Sequence, residues 1–173
     1  MNTIKHTLVI VSAIVLFANC GSDKKKEEKT KQEVKKQVTI EIPKVKKLEI
    51  LGNDLMKFNK SKLPVFEGQK VILTLKHTGK MAAKYMGHNI VILQKGVDVT
   101  DFAVKAIAAS DTGYVPKDAI KDVVAYTKVI GGGESTTIEF DAPAVGVYDF
   151  ICSFPGHYGL MKGKFVVSKP TNY

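Results

Sequence analysis

A ten-residue stretch near the C-terminus holds three side chains that can bind a metal ion. Cys152 offers a thiolate, His157 an imidazole and Met161 a thioether, in a chain with only two cysteines and four histidines. Thiolate and thioether sulfurs are soft donors, and with imidazole nitrogens they suit copper, cycling between Cu(I) and Cu(II), better than a hard cation such as magnesium. A trigonal copper site needs a second histidine from another part of the chain.

The second histidine must be His77 or His88, because His6 would leave with the predicted signal peptide. His77 ends a strand predicted over 70–77. His88 stands at the start of a strand predicted over 88–93, where backbone pairing would hold it in place. The spacing alone leaves both histidines open.

The chain from Leu48 onward predicts an all-β domain, because short apolar runs are broken by turn residues about every ten positions. Strands are predicted over 48–51, 55–58, 70–77, 88–93, 123–130, 135–140, 147–152 and 163–168. One interval, 98–108, predicts a helix, since its apolar residues fall on a single stripe at helical spacing. We therefore expect about eight strands with one helical flap.

Two features that could suggest nucleotide or nucleic-acid binding have simpler explanations. The three glycines at 131–133 predict a hairpin connection, because glycine adopts positive φ without strain, and no helix follows them to bind a phosphate. The net charge of +9 is concentrated ahead of the domain, where residues 20–47 hold ten lysines against five acidic residues. We expect no nucleic-acid partner.

The N-terminus has the features of an exported lipoprotein. Residues 1–19 hold a basic start and a short apolar run, which predicts a signal peptide rather than a retained membrane helix. Cys20 follows this run as in a bacterial lipobox and would be lipidated; the alternative is an ordinary signal peptide that leaves a free thiol. Residues 20–46 would form a charged, disordered tether, either a solvated spacer or a segment lying on anionic head groups. The domain would then span 47–173.

Four stretches of the domain resemble the azurins, which are blue copper proteins of the cupredoxin fold. The stretches are 51–59, 86–89, 127–134 and 152–163, and the likeness extends over about residues 47–168. The resemblance implies an all-β, cupredoxin-like Greek-key barrel or sandwich that binds one type 1 copper ion and carries one electron. Azurin disulfide positions are occupied here by Lys46 and Gly68, so the N-terminal strand must be held without a crosslink.

The resemblance also implies a ligand set, position by position. His88, Cys152 and His157 would be the equatorial ligands, Met161 the weak axial ligand, and the Gly87 carbonyl a distant contact on the opposite side. This arrangement is typical of blue-copper electron-transfer sites.

Further residues acquire roles from the same resemblance. The backbone amides of Asn89 and Phe154 would donate to the thiolate sulfur, and Asn89 would tie the first ligand strand to the ligand loop. His77 would lie beside the metal without binding it, where its protonation could affect the reduction potential. Electrons would pass through His157 at an apolar docking patch. The positions that match this patch are Met56, Met86, Phe154, Pro155 and Leu160.

The sequence therefore predicts a monomeric electron carrier and not an enzyme. It would be exported and lipid-anchored to a bacterial membrane, facing the periplasm or the cell surface, with redox partners such as cytochromes or copper-containing reductases and oxidases. One alternative is a copper-delivery or copper-buffering lipoprotein, which usually shows open sites rich in methionine and histidine. Another is the copper domain of an enzyme, for which 173 residues are too few to hold a second metal-binding domain.

Overall fold

Alternating apolar residues build the strands that carry the site. In β4 (Lys70–His77), Val71, Leu73 and Leu75 are fully buried and alternate with exposed or half-buried residues, as the two-residue period of a strand requires. The computed structural model describes residues 43–170.

Within that range nine strands form two sheets. The other strands are β1 (Val45–Asn53), β2 (Lys57–Phe58), β3 (Lys62–Phe66), β5 (Val91–Leu93), β6 (Val123–Tyr126), β7 (Ser135–Asp141), β8 (Gly146–Ile151) and β9 (Lys162–Ser168). One sheet has the order β2-β1-β4-β7 and the other β3-β9-β8-β5-β6. The pairs β1/β4 and β3/β9 are parallel and the remaining pairs antiparallel. The predicted all-β cupredoxin-like fold is confirmed, in the form of a sandwich of two mixed sheets.

The predicted helical flap is α2 (Val99–Ile107), which lies between β5 and β6 in the chain. Asp98 caps it by accepting the backbone N–H groups of Thr100 and Asp101 at 2.8 and 2.9 Å, as an N-cap residue does. Its buried residues are Phe102, Ala103 and Ala106, and they pack with Val91, Leu93 and Ile151 of the second sheet. Two 3₁₀ turns, Ser110–Thr112 and Lys117–Asp122, complete the flap.

Several local predictions were wrong. The sequence analysis missed β3, because Pro64 interrupts its apolar pattern; β3 is an edge strand, where proline is tolerated. It also missed the single-turn helix α1 (Ala83–Met86). The strands predicted over 55–58, 88–93 and 123–130 are shorter than expected. The glycines at 131–133 join strands of different sheets and not a hairpin, although Gly133 has the expected positive φ of 80°.

The N-terminal end of the described chain is fastened by a buried glutamine. Gln69 Nε2 donates to the Pro43 carbonyl at 2.7 Å, and its Oε1 accepts the Phe66 backbone N–H at 2.8 Å. β1 then pairs with β4 from Val45 onward. These bonds hold the first strand, for which the sequence analysis expects no crosslink.

The predicted signal peptide (1–19), the lipidation site Cys20 and most of the tether lie outside the described residues. Among residues 43–170, no helix is long and apolar enough to cross a membrane.

Candidate metal centre

Two separate backbone features bring the candidate donors together. His88 precedes β5 and forms an isolated antiparallel bridge with Ile130, each donating its N–H to the other's carbonyl at 2.9 Å. Cys152 directly follows β8, and its N–H donates to the carbonyl of Met161 at 2.8 Å. This bond closes the loop between β8 and β9, so that His157 turns back toward Cys152.

The donors form one buried cluster. The ligand atoms of His88, Cys152 and His157 all lie within 4.8 Å of one another. Cys152 Sγ is 3.6 Å from His157 Nδ1 and 3.9 Å from the Gly87 carbonyl oxygen. The side chains of His88 and Cys152 are fully buried, and His157 is 4% exposed. A single small ion would contact all three.

The hydrogen bond at Nε2 of His88 frees its other nitrogen. Nε2 lies 2.9 Å from the Asn53 carbonyl and Nδ1 lies 2.9 Å from the Gly87 carbonyl. With the proton on Nε2 and donated to Asn53, Nδ1 keeps its lone pair for a metal. Sequence reasoning missed the role of Asn53, because it depends on how close β1 comes to His88.

Both imidazoles are kept neutral by burial. Burial, together with the nearby His88 and His77 rings, lowers the pKa of His157 from 6.5 to about 4. Burial also lowers the pKa of His88, against the opposing effect of its hydrogen bond to Asn53. A neutral imidazole is the form that binds a metal.

Burial destabilises the thiolate form of Cys152 unless a nearby positive charge or hydrogen-bond donor compensates its negative charge. Burial raises its pKa from 9.0 to about 12, and the backbone N–H groups of Asn89 and Phe154 act in the opposite direction. These are the two amides to which the resemblance assigns a bond to the sulfur. A bound cation would supply the rest of the compensation.

Asn89 fastens the ligand loop, residues 152–161, through Ser153. Its Oδ1 accepts the Ser153 backbone N–H at 2.8 Å, and its Nδ2 donates to Ser153 Oγ at 2.9 Å and to the Gly113 carbonyl at 3.0 Å. Ser153 Oγ donates in turn to the Tyr114 carbonyl at 2.7 Å. Asn89 thus connects the first ligand segment, the ligand loop and the end of the flap. The contribution of Ser153 and the flap carbonyls was not foreseen from the sequence.

His77 lies beside the donors and is not one of them. Its ring stacks on His88 with centroids 4.2 Å apart and an interplanar angle of 8°. Its Nδ1 accepts the Gly79 N–H at 3.0 Å, and its Nε2 is 2.8 Å from the Met86 carbonyl. The ligand atoms that converge are those of His88, Cys152 and His157, so His88 and not His77 is the histidine that joins the cluster.

Met161 is fully buried and packs in one apolar cluster with Cys152 and Phe154. The space around it depends on Gly52 of β1. A Cβ at Gly52 would lie 2.7 Å from His88 Cδ2 and 3.4 Å from Met161 Cε. The sequence analysis did not single out Gly52 as a site residue.

The predicted docking patch differs in exposure from one residue to the next. Leu160 is 65% exposed, Met56, Met86 and Pro155 are half-buried, and Phe154 is buried at 9% exposure. Two further apolar side chains near the site, Leu55 and Tyr85, are 76% and 64% exposed. They lie in the turn after β1 and in α1, and the sequence analysis did not include them.

The donor set fits copper. It combines a soft thiolate with two imidazoles in a buried cluster, and a thioether packs beside it, whereas a hard cation would require oxygen ligands. The sequence profile of the family described as "Copper binding proteins, plastocyanin/azurin family" matches residues 44–168.

The chain belongs to the plastocyanin/azurin family.

Individual relatives agree with this membership. Azurin-1 of Alcaligenes xylosoxydans xylosoxydans is 44% identical over 121 residues, which cover 67% of this chain and 92% of that protein. Outer membrane protein H.8 of Neisseria gonorrhoeae is 44% identical over 116 residues; they cover 65% of this chain and 62% of that longer protein.

A solved structure shows the same fold. Auracyanin A, a "blue" copper protein of Chloroflexus aurantiacus, superposes with a TM-score of 0.66 at 31% identity, over 72% of this chain and 99% of auracyanin A. Copper is therefore the cofactor, and this member of the plastocyanin/azurin family is a copper electron-transfer protein.

Proposed function

We propose that this chain carries single electrons between redox proteins at a bacterial membrane surface, through a type 1 copper site held by His88, Cys152 and His157. One observation carries the proposal: three donors of the right chemistry converge within 4.8 Å in a buried cluster. When bound, copper supplies the one-electron couple Cu(I)/Cu(II). The role of the chain is to hold the donors in one arrangement.

Met161 and Gly87 would complete the site. Met161 is fully buried beside Cys152 and supplies the thioether expected of a weak axial ligand, and the Gly87 carbonyl is 3.9 Å from the sulfur. Gly87 has no room for a side chain, since a Cβ there would lie 2.5 Å from the Ala83 carbonyl and 2.6 Å from Val129 Cγ1. Its carbonyl is therefore held against the sulfur by packing.

The hydrogen bonds of the chain resist movement of the donors. Asn53 orients His88, Asn89 fixes Ser153 next to Cys152, and the amides of Asn89 and Phe154 face the sulfur. Such bonds around metal ligands set their orientation and tune the potential. A site that is fixed in this way changes little when an electron arrives, which favours fast exchange.

Electrons would enter and leave near His157. The ring centroids of Phe154 and His157 are 4.8 Å apart, and His157 stands in the same loop as Pro155 and Leu160. The docking patch is Met56, Met86, Phe154, Pro155 and Leu160. Its apolar character suits the small, brief interfaces of redox encounters. Cytochromes and copper-containing reductases or oxidases are partners of this class.

We also propose that the chain is a monomeric lipoprotein, anchored through Cys20 and facing the periplasm or the cell surface. The sequence around Cys20 supports this, and so does the similarity to a protein named as an outer membrane protein. Intact mass of the membrane-extracted protein should show lipid on Cys20. A mature protein that is unmodified and free in solution would contradict the anchor.

The alternative of copper delivery or buffering is less well supported, because the candidate donors are buried and not arranged in an open site. The deciding experiment compares two rates on the copper-loaded protein. An electron carrier should exchange electrons between its oxidised and reduced forms far faster than it gives copper to an apo-chaperone. The reverse order of rates would identify a delivery protein. Neither role includes a catalysed reaction.

A further inference from the structure

Two residues have a backbone conformation that L side chains rarely adopt. Among the non-glycine residues that the structure describes, only Met56 (φ 53°) and Tyr114 (φ 64°) have positive φ. A bulky side chain in this left-handed region costs free energy that glycine does not, so such residues persist where the surrounding structure holds them in place. Both pack against the cluster of Cys152, Phe154 and Met161. The strained positions of the described fold therefore lie beside the candidate donors.

Tyr114 is held in its conformation by the end of the flap. Gly113, which ends the preceding 3₁₀ turn, is itself left-handed, with φ 67° and ψ 33°. The Tyr114 N–H donates to the Ala109 carbonyl at 2.8 Å, and Thr112 Oγ1 donates to the Val115 carbonyl at 2.7 Å. These bonds close the chain on both sides of Tyr114, so its ring and its carbonyl have fixed directions.

The carbonyl and the ring of Tyr114 contact two consecutive residues of the ligand loop. The carbonyl accepts a hydrogen bond from Ser153 Oγ at 2.7 Å. The ring meets the Phe154 ring edge to face, with centroids 5.1 Å apart and an interplanar angle of 68°, which is an arrangement that aromatic pairs favour. Ser153 and Phe154 directly follow Cys152 in the chain. One residue of the flap therefore holds the loop next to the candidate thiolate ligand.

The ring of Phe154 also contacts His157. The centroids of these two rings are 4.8 Å apart, with an interplanar angle of 41°, and the Phe154 carbonyl accepts the His157 N–H at 3.0 Å. Both side chains are buried. Because packed interiors leave little free space, a shift of the Phe154 ring would displace its neighbours. Tyr114 and His157 are therefore connected through Phe154.

Tyr114 belongs to the core of the flap as well. It packs against the cluster that contains Phe102 and Ala106 of α2 and Ile151 of β8, and also against the cluster of the candidate donors. Among the described side chains that pack against these two clusters, Tyr114 is the one common to both. The flap and the donor cluster thus share one aromatic side chain.

We propose that Tyr114 is a positioning residue for the copper site, and that its ring holds Phe154 and, through Phe154, the ligand His157. This inference rests on the proposed function, because it assumes that His157 binds the copper. A glycine at position 114 would adopt the left-handed backbone without strain and would still offer its carbonyl to Ser153. The tyrosine adds the ring. The flap would then restrain His157 through packing, in addition to the restraint of the loop by the hydrogen bonds of Asn89.

The first test uses the copper-free protein. Tyr114→Gly removes the ring and permits the same backbone, whereas Tyr114→Phe keeps the ring and removes only the hydroxyl. Amide hydrogen exchange reports opening of the ligand loop, because the N–H groups of His157 and Met161 donate to carbonyls within it. Both amides should exchange about tenfold faster in Tyr114→Gly than in the wild-type protein. In Tyr114→Phe their rates should stay within about twofold of wild type.

The second test uses the copper-loaded protein. It measures the position of the blue absorption, the reduction potential, and the rate at which a reduced chain gives one electron to an oxidised chain. A general loss of stability does not change these properties of the folded protein. In Tyr114→Gly the absorption and the potential should shift, and electron exchange should slow about tenfold. Tyr114→Phe should match the wild type in all three.

Val97→Ala is the matched control in the flap. Val97 is half-buried and packs against the flap cluster but is not among the residues that pack against the donor cluster. The variant should lose stability and keep the wild-type amide exchange in the loop and the wild-type absorption. Tyr114→Asn takes the place of Tyr114→Gly if the latter does not fold, because asparagine also tolerates positive φ.

Unchanged loop amides and an unchanged absorption in Tyr114→Gly would overturn the inference. Equal effects of Tyr114→Gly and Val97→Ala would also overturn it, since they would show only a general loss of stability. Changes of the same size in Tyr114→Phe would assign the effect to the hydroxyl and not to the ring, with the same consequence. The absence of a blue absorption from the wild-type protein would contradict the proposed function, and with it any role of Tyr114 at copper. A blue wild-type protein beside an unaltered Tyr114→Gly variant would contradict the inference alone.

Discussion

Asn89 holds Ser153 at two points: its Oδ1 accepts the Ser153 backbone N–H at 2.8 Å, and its Nδ2 donates to Ser153 Oγ at 2.9 Å. Because Ser153 directly follows Cys152 and Asn89 directly follows His88, this pair joins two ligand segments that are 64 residues apart in sequence. All the polar atoms involved are buried. The loop geometry around the sulfur therefore depends on one amide side chain.

Replacing Asn89 with alanine should destabilise the copper-free protein strongly. The buried Ser153 N–H would lose its acceptor and the half-buried Gly113 carbonyl its donor, and an unsatisfied buried group costs about 1 to 3 kcal/mol. Ser153→Ala keeps the N–H bond to Asn89 and should cost about 1 kcal/mol. Urea unfolding of both variants checks the order, and an Asn89→Ala protein that is no less stable than Ser153→Ala would contradict it.

Replacing Gly52 with alanine should disturb the metal donors, although none of the donor residues is itself substituted. The added Cβ would lie 2.7 Å from His88 Cδ2 and 3.4 Å from Met161 Cε, so the ring must shift or the strands must separate, at a cost of about 1 to 3 kcal/mol. The visible spectrum of the copper-loaded protein should change. Gly159→Ala is the matched control, since nothing lies within 4 Å of its added Cβ. An unchanged Gly52→Ala spectrum would show that the site tolerates the shift.

Copper binding at pH 7 should release about one proton per ion. The Cys152 thiol, with a pKa raised to about 12, is fully protonated before loading, and a metal binds the thiolate. The imidazoles of His88 and His157 are already neutral, because burial lowers the pKa of each. An indicator dye in weakly buffered solution measures the release. Two or more protons would mean that a histidine is charged before loading.

The copper-free protein should lose stability as the pH falls from 6.5 toward 4. The folded pKa of His157 is about 4 and its ordinary value is 6.5, so within this range the unfolded chain binds a proton that the folded chain does not. Stability is then greatest above pH 6.5 and decreases with acidification. The pKa values of the Asp54 and Asp111 carboxyls are lowered from 3.8. The stabilisation that these carboxylates give is therefore lost only at pH values below this range.

The control for this pH dependence is His157→Gln, which removes the titrating ring. Unfolding by urea at pH 7 and pH 5 should show a smaller difference for the variant than for the unchanged chain. Equal differences would mean that the pKa of His157 is the same in the folded and the unfolded chain, which would contradict the effect of burial.

The sequence predicted the features that depend on neighbouring residues: the chemistry of side chains close together in the chain, and the regular spacing of apolar residues in strands and helices. The soft donors of 152–161 stand close together in the chain, the apolar alternation of β4 is regular, and the apolar stripe of α2 is complete. The features that it missed depend on contacts between residues that are far apart in the chain. Gly52 matters only because β1 reaches His88 and Met161. Pro64 concealed β3, since the pattern does not show which strands are edges.

The central claim is that His88, Cys152 and His157 hold one copper ion as a type 1 site. Titrating Cu(II) into the purified protein tests it most directly. We expect an intense blue thiolate-to-copper absorption that saturates at one ion per chain and is absent from Cys152→Ser. A colourless or pale product, or an absorption that persists in Cys152→Ser, would contradict the claim.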